Sequence, residues 1–282
     1  MNIDIVDTHV HMWDLNKATY AWLENDTSIL NRSYDLEELL PSLSHAGVQS
    51  GVLVQAANNI EDTNLMLNAA HQHQWIKGVV GWLPLDNNKL TERYLNDFVS
   101  TNSCYKGVRH LIHNEPDPKW LLRPNVLNNL KLLPAHNLTY DIVGVNFQHL
   151  RTAINVAEKL SDLKLVLDHL NQPPTDSVDF EQWKSLMSTL AEFPNVYCKI
   201  SGLGTAIGKS TWGKNDLVPA ISFVLEHFGV NRCFCGGDWP VSLLAGPYEK
   251  AWLLYREIFS EMLSAENQKR VLHDNACEFY NL

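Results

Sequence analysis

The chain has 282 residues, 45% of them hydrophobic, enough to bury a full core without a disulfide framework or a structural metal. Its net charge of -10, with no basic run in either half, excludes a binder that works by neutralising nucleic-acid phosphates. No apolar stretch approaches the ~18 residues that span a bilayer, acidic residues stand where a secretory signal carries lysines, and five scattered cysteines without a Cys-x-x-Cys pair suit a reducing compartment, so a cytoplasmic protein is expected.

Short β-branched or apolar runs recur along the chain at Ile3–His9, Gly51–Ala57, Gly78–Leu83, Gly107–Ile112, Leu138–Val143, Leu163–His169, Val196–Ser201 and Arg232–Gly237. Between them lie segments with the apolar spacing of amphipathic helices, such as Asp62–Ala70 and Leu150–Leu160. Strand centres about thirty residues apart, each run apolar on both faces and followed by helix, predict a parallel sheet covered on both sides. An open doubly wound sheet shares this pattern, but eight strand-helix units in a chain of this size fit a closed (β/α)8 TIM barrel, with residues 1–282 as one domain. The first connection, from Met12 to about Ser33, is long and aromatic-rich, and in a barrel it would form a lid or pocket wall at the active-site mouth.

The first run ends in Asp7-Thr8-His9-Val10-His11. Side chains alternate along a strand, so His9 and His11 project to one face and can converge on one ion. His71 and His73 fall at a helix end, where residues two apart diverge, and read as solvated. The sixth run closes on Asp168-His169 and the eighth on Gly236-Gly237-Asp238-Trp239-Pro240. A parallel barrel gathers all carboxyl strand ends on one face, which brings His9, His11, His169 and Asp238 together as a first shell for one divalent ion, zinc being the expected one. Asp238 is placed there to act as a general base on water. Alternation lets Arg109 or His110 face inward, and Arg109 is the better candidate for an anion or carbonyl contact. Asp141 and Lys199 also stand at strand ends, Lys199 reading more naturally as a partner in a structural ion pair. Gly204–Ser210 looks like a phosphate loop but has three residues between its glycines where that loop needs four, and neither Gly-x-Ser-x-Gly nor Gly-x-Gly-x-x-Gly occurs.

Taken together, Asp7–Asp14, Gly107–Ile112, Leu165–His169, Val196–Leu203 and Gly237–Val241 resemble the amidohydrolase superfamily, in particular its sugar-lactone and aromatic-lactone hydrolases. The resemblance runs from end to end of the chain. It implies a (β/α)8 barrel and a small-molecule lactone substrate, with Asp238 as general base. His169 and Arg109 stand beside it as catalytic candidates, and Trp13, Arg109, His110, Asp141 and Trp239 are the candidate substrate contacts, with Trp82 a further stacking candidate. Metal use varies among such lactonases, so metal-free polarisation of the carbonyl by histidine and arginine stands as the alternative to a zinc site. The sequence departs from the resemblance at Asn171-Gln172-Pro173 and at Gly237, and it lacks a bridging lysine for a two-metal centre on the fourth strand. A metal-dependent decarboxylase, or a barrel that binds a sugar acid without turning it over, are the competing functions, and a homo-oligomer is compatible with all of them.

Overall fold

The computed structural model describes residues 3–175, 177–209 and 211–282. Eight strands, β1 (Ile5–Val10), β2 (Val48–Val54), β3 (Ile76–Gly81), β4 (Tyr105–His110), β5 (Thr139–Ile142), β6 (Leu165–Leu167), β7 (Val196–Ile200) and β8 (Cys233–Cys235), pair in sequence order, each parallel to the next. The ring shuts beyond the ends of β8 and β1, where Asp238 N–H donates to His9 O and His11 N–H to Trp239 O, both at 2.7 Å. This is the TIM barrel expected from the spacing of the apolar runs. β2, β3 and β4 begin two or three residues ahead of those runs, because polar lead-ins such as Gln49, Lys77 and Lys106 join the ladder at the rim.

The helix Ile60–Gln72 covers the predicted amphipathic stretch Asp62–Ala70, and the helix Phe147–Lys159 starts three residues ahead of the predicted Leu150–Leu160 and caps on Leu160. Each starts on an asparagine, Asn59 and Asn146, whose side chain accepts a backbone N–H of the first turn. The end of the Ile60–Gln72 helix places His71 at the surface and His73 just past it. The glycine-rich stretch folds instead as a short helix, Leu203–Ile207, terminated by Gly208; Ser210 lies outside the described residues.

Inside the barrel the floor is apolar. Val6, Val52, Val54, Val80, Val166 and Phe234 pack together and are closed from below by Phe279 and Tyr280 of the helix Asn275–Tyr280. The strands' other faces pack under the surrounding helices in a second, larger core. In the first connection Trp13 bridges to Tyr34, Tyr20 Oη donates to Asp62 at 2.8 Å, and Trp22 Nε1 donates to Ala56 O at 2.8 Å. These bonds fix the segment as a wall of the barrel mouth.

Candidate active site

The strand ends gather the expected groups. In the pairing of β1 with β2 the register shifts between Asp7 and Val10, and both His9 and His11 then face the axis with their Nε2 atoms 3.1 Å apart. His169 follows β6 through a run of four left-handed residues, His169, Leu170, Asn171 and Gln172, which turns its ring to within 4.5 Å of the His9 ring. Its Nδ1 shares a hydrogen bond of 2.9 Å with Ser201 Oγ. Asp238 also has a positive φ, 57°, and its Oδ1 lies 3.4 Å from His11 Nε2, 3.8 Å from His9 Nε2 and 3.9 Å from His169 Nε2. Such left-handed non-glycine residues cost of order 1–3 kcal/mol each and persist where the surrounding structure enforces them.

Two devices hold these residues in place. Asp7, buried at the closure, accepts His9 N–H at 2.9 Å and Gly237 N–H at 2.8 Å on one oxygen and Tyr248 Oη at 2.6 Å on the other, so one carboxyl fixes both strand ends. Burial raises its pKa to about 6, against the pull of those donors. Gly202, φ +59°, backs the site so closely that a β-carbon there would stand 2.6 Å from His169 Nδ1 and 2.7 Å from Asp238 Oδ2.

A buried layer of paired charges lies just below. Arg109 Nη1 reaches Asp168 Oδ2 at 3.0 Å and His9 Nε2 at 3.2 Å, and its Nη2 donates to Gln55 O at 2.5 Å. Lys199 Nζ contacts Asp141 at 2.5 Å, Asp168 at 2.9 Å and His9 Nδ1 at 3.3 Å, while Tyr280 Oη donates to Asp141 at 2.7 Å. Burial alone would raise Asp168, but Lys199, His9 and Arg109 around it hold it well below the usual carboxylate range. Asp141, with Lys199 as its cationic contact, is pushed by burial to about 6. Burial lowers the pKa of both His9 and His11, which keeps the rings neutral. The His11 tautomer follows from its partner: Nδ1 sits 2.7 Å from Val54 O, which can only accept, so the proton is on Nδ1 and Nε2 presents a lone pair.

Above these groups opens a cavity of about 350 Å³. His11, Arg109, His169 and Asp238 form its floor, and Trp13, Trp22, Leu111, Val143 and Val145 its apolar walls. A wider hollow of about 620 Å³ lies between the first connection and the Ile60–Gln72 helix, but none of the converging side chains lines it. Of the residues expected to touch substrate, Trp13 and Arg109 line the 350 Å³ cavity, whereas His110, Asp141 and Trp239 do not. Alternation along β4 turns His110 outward, stacked on Trp120 at 3.8 Å and bonded to Trp82 Nε1 and Glu115. Asp141 faces the axis one layer too low, and Trp239 packs edge-on against Tyr34 behind the wall. Trp82 joins His110 outside the cavity. Sequence reasoning passed over Asp168 as a site residue, and over His113 and Gln172 at the cavity lining. Asp168 had a signal, its place beside His169 at the end of β6; Gln172 stood out only as part of a departure from the resemblance, and His113, in a single 3-10 turn just after β4, carried none.

The floor suits a divalent ion. His9 Nε2, when the ring proton is on Nδ1, His11 Nε2 and Asp238 Oδ1 are three donor atoms separated by 3.1, 3.4 and 3.8 Å. Two ligands on a tetrahedral zinc with bonds of ~2.0–2.1 Å lie about 3.3 Å apart. Asp238 Oδ1 is buried and receives no hydrogen bond among the described residues, which fits an atom meant for a cation or a water. The alternative triad of His9, Asp168 and His169 is less suitable, because Lys199 and Arg109 already neutralise Asp168.

Comparison with known proteins agrees with this arrangement. Residues 6–282 match the amidohydrolase family. The L-fucono-1,5-lactonase of Burkholderia ambifaria is 31% identical over 283 residues, covering 98% of this chain and 95% of that protein. The L-fucono-1,5-lactonase of Burkholderia multivorans is 27% identical, covering 98% and 96%. A crystal structure of an amidohydrolase from Burkholderia multivorans with bound zinc superposes with a TM-score of 0.91 at 26% identity, covering 99% of each chain. With that match spanning both the barrel and its catalytic-end residues, the chain belongs to the amidohydrolase family.

Proposed function

We propose that this protein opens the ring of a sugar-acid lactone, L-fuconolactone- or L-rhamnonolactone-like, by attack of water on the ring carbonyl with Asp238 as general base. The observation that carries the reading is Asp238 itself, a buried carboxylate with one oxygen that receives no hydrogen bond among the described residues, at the floor of a cavity of small-molecule size. Asp238 takes the proton of the attacking water as the oxygen–carbon bond forms. It returns that proton to the ring oxygen as the lactone carbon–oxygen bond breaks, leaving a hydroxy acid. His169, steadied by Ser201 and with its Nε2 3.9 Å from Asp238 Oδ1, is close enough to help orient that water.

Arg109 supplies the charge that meets the developing oxyanion. It is buried, lines the cavity, and its Nε–H has no partner among the described residues. One such donor is worth ~10²–10³ in turnover. Trp13 and Trp22 offer flat apolar faces to the sugar ring. A zinc ion like that in the Burkholderia multivorans neighbour, held here by His9, His11 and Asp238 with His169 close by, would polarise the carbonyl as a Lewis acid.

The test is a pH-indicator screen of sugar lactones, run with and without chelator, on the wild type and on Asp238→Asn. The wild type should acidify solutions of at least one deoxy-sugar lactone, and Asp238→Asn should turn over ~10²–10⁴ times more slowly with its fold intact. An Asp238→Asn rate near that of the wild type removes Asp238 from the chemistry, and carbon dioxide release without ring opening replaces the lactonase with a decarboxylase.

A further inference from the structure

Each ring nitrogen of His9 stands between one group that only donates and one that only accepts. At Nδ1 these are the Lys199 ammonium at 3.3 Å and Asp168 Oδ1 at 3.4 Å. At Nε2 they are Arg109 Nη1 at 3.2 Å and His11 Nε2 at 3.1 Å, the latter an acceptor because the His11 proton is committed to Val54 O. A neutral imidazole carries one proton and one lone pair, so the surroundings accommodate both tautomers fully. In one, Lys199 donates to Nδ1 and His9 Nε2–H donates to His11. In the other, Nδ1–H donates to Asp168, and Nε2 offers its lone pair to Arg109 or to a cation.

The two forms differ in what lies between His9 and His11. The Nε2–H form places a proton in the 3.1 Å gap and joins the rings by a hydrogen bond. The Nδ1–H form aims two lone pairs into the same space, beside an Asp238 oxygen that lacks a donor among the described residues, and a positive ion there relieves the repulsion.

We propose that His9 is a two-position tautomer switch, kept Nε2–H by Lys199 and His11 when the site is ion-free and Nδ1–H by Asp168 when a divalent cation takes Nε2. The ring stays neutral throughout: the Nε2–H bond breaks, an Nδ1–H bond forms, and the proton is exchanged through water. Asp168 and Lys199 are positioning residues that act through His9, and their balance sets the ion affinity. The same floor is then internally hydrogen-bonded with or without metal. This goes beyond the lactonase reading and does not depend on the substrate.

The experiment uses the full chain with ¹⁵N-labelled histidine rings, first stripped with chelator and then titrated with zinc, the His9 signals being assigned by their loss in His9→Gln. The expected spectrum shows His9 protonated at Nε2 in the stripped protein and at Nδ1 after one equivalent of zinc. A ring already Nδ1–H before zinc, or one unmoved by zinc, overturns the proposal. Asp168→Asn leaves at most a neutral amide oxygen to accept from Nδ1–H where the wild type has a carboxylate, and should weaken zinc, measured by competition with a chromophoric chelator, by ~10–100-fold. Lys199→Met should tighten it, and equal or weaker binding contradicts the switch. Lys199→Met also strips a counter-charge from two buried carboxylates, so if it does not fold, the wild-type spectrum and Asp168→Asn decide. Loss of charge alone would move the affinities in the same directions but would leave the wild-type tautomer unchanged. None of these readouts uses a lactone, so they stand or fall apart from the proposed activity.

Discussion

Replacing Gly202 by alanine tests the site through its backing and alters none of the proposed reacting groups chemically. The added β-carbon would stand 2.6 Å from His169 Nδ1 and 2.7 Å from Asp238 Oδ2, against the 3.4 Å at which ordinary contact begins, so the two side chains must together give way by most of an ångström. A displacement of ~1 Å in a catalytic array costs about 10²-fold in rate. The backbone adds its own penalty, because φ at this position is +59° and a left-handed alanine is disfavoured by ~1–2 kcal/mol. With the overlap contributing a further ~1–3 kcal/mol, Gly202→Ala should lose about 2–5 kcal/mol of stability and about 10²-fold in kcat. Urea unfolding gives the first quantity, and initial rates of ring opening, taken where near-ultraviolet circular dichroism shows an intact fold, give the second. A folded Gly202→Ala protein with wild-type kcat would mean that His169 and Asp238 are not where the reaction occurs.

Asp62 provides a pH test away from the floor. Burial raises its pKa from 3.8 to about 6, partly offset by bonds from Ala56, Tyr20 and Ala57. A carboxyl that binds its proton more tightly when folded adds stability below the unfolded pKa and loses it as pH rises through the folded one. The wild type should therefore lose about 3 kcal/mol relative to Asp62→Asn between pH ~4 and ~6, as urea melts at several pH values will report. A constant difference between the two proteins across that window would contradict it. Trp22→Ala removes one apolar wall without touching the floor, so KM for the responsive lactone should rise about tenfold, the ~1.4 kcal/mol of one aromatic face, with kcat nearly unchanged. A fall in kcat with unchanged KM would place Trp22 in the chemistry.

The barrel was legible because its strands are buried on both faces and so read as unbroken apolar runs, and because the parallel topology sends every run's end to one rim. His9 and His11 were legible from alternation, and Arg109 over His110 for the same reason. Alternation also explains what was missed. Along a regular strand only one of Asp168 and His169 can face the axis; here the chain turns left-handed immediately after Asp168, and both do. The sequence from His169 to Gln172 contains no glycine to announce that turn, which tertiary packing enforces. Asp141 shows the converse limit: alternation places its side chain inward but says nothing of height, and one layer separates a cavity contact from an ion pair with Lys199.

Because Tyr20 and Trp22 are each tied by a hydrogen bond to the barrel, and Trp13 to Tyr34, this side of the doorway is braced rather than hinged. A braced rim sorts solutes by girth on arrival, and the 350 Å³ behind it has room for a small molecule and not for a polymer.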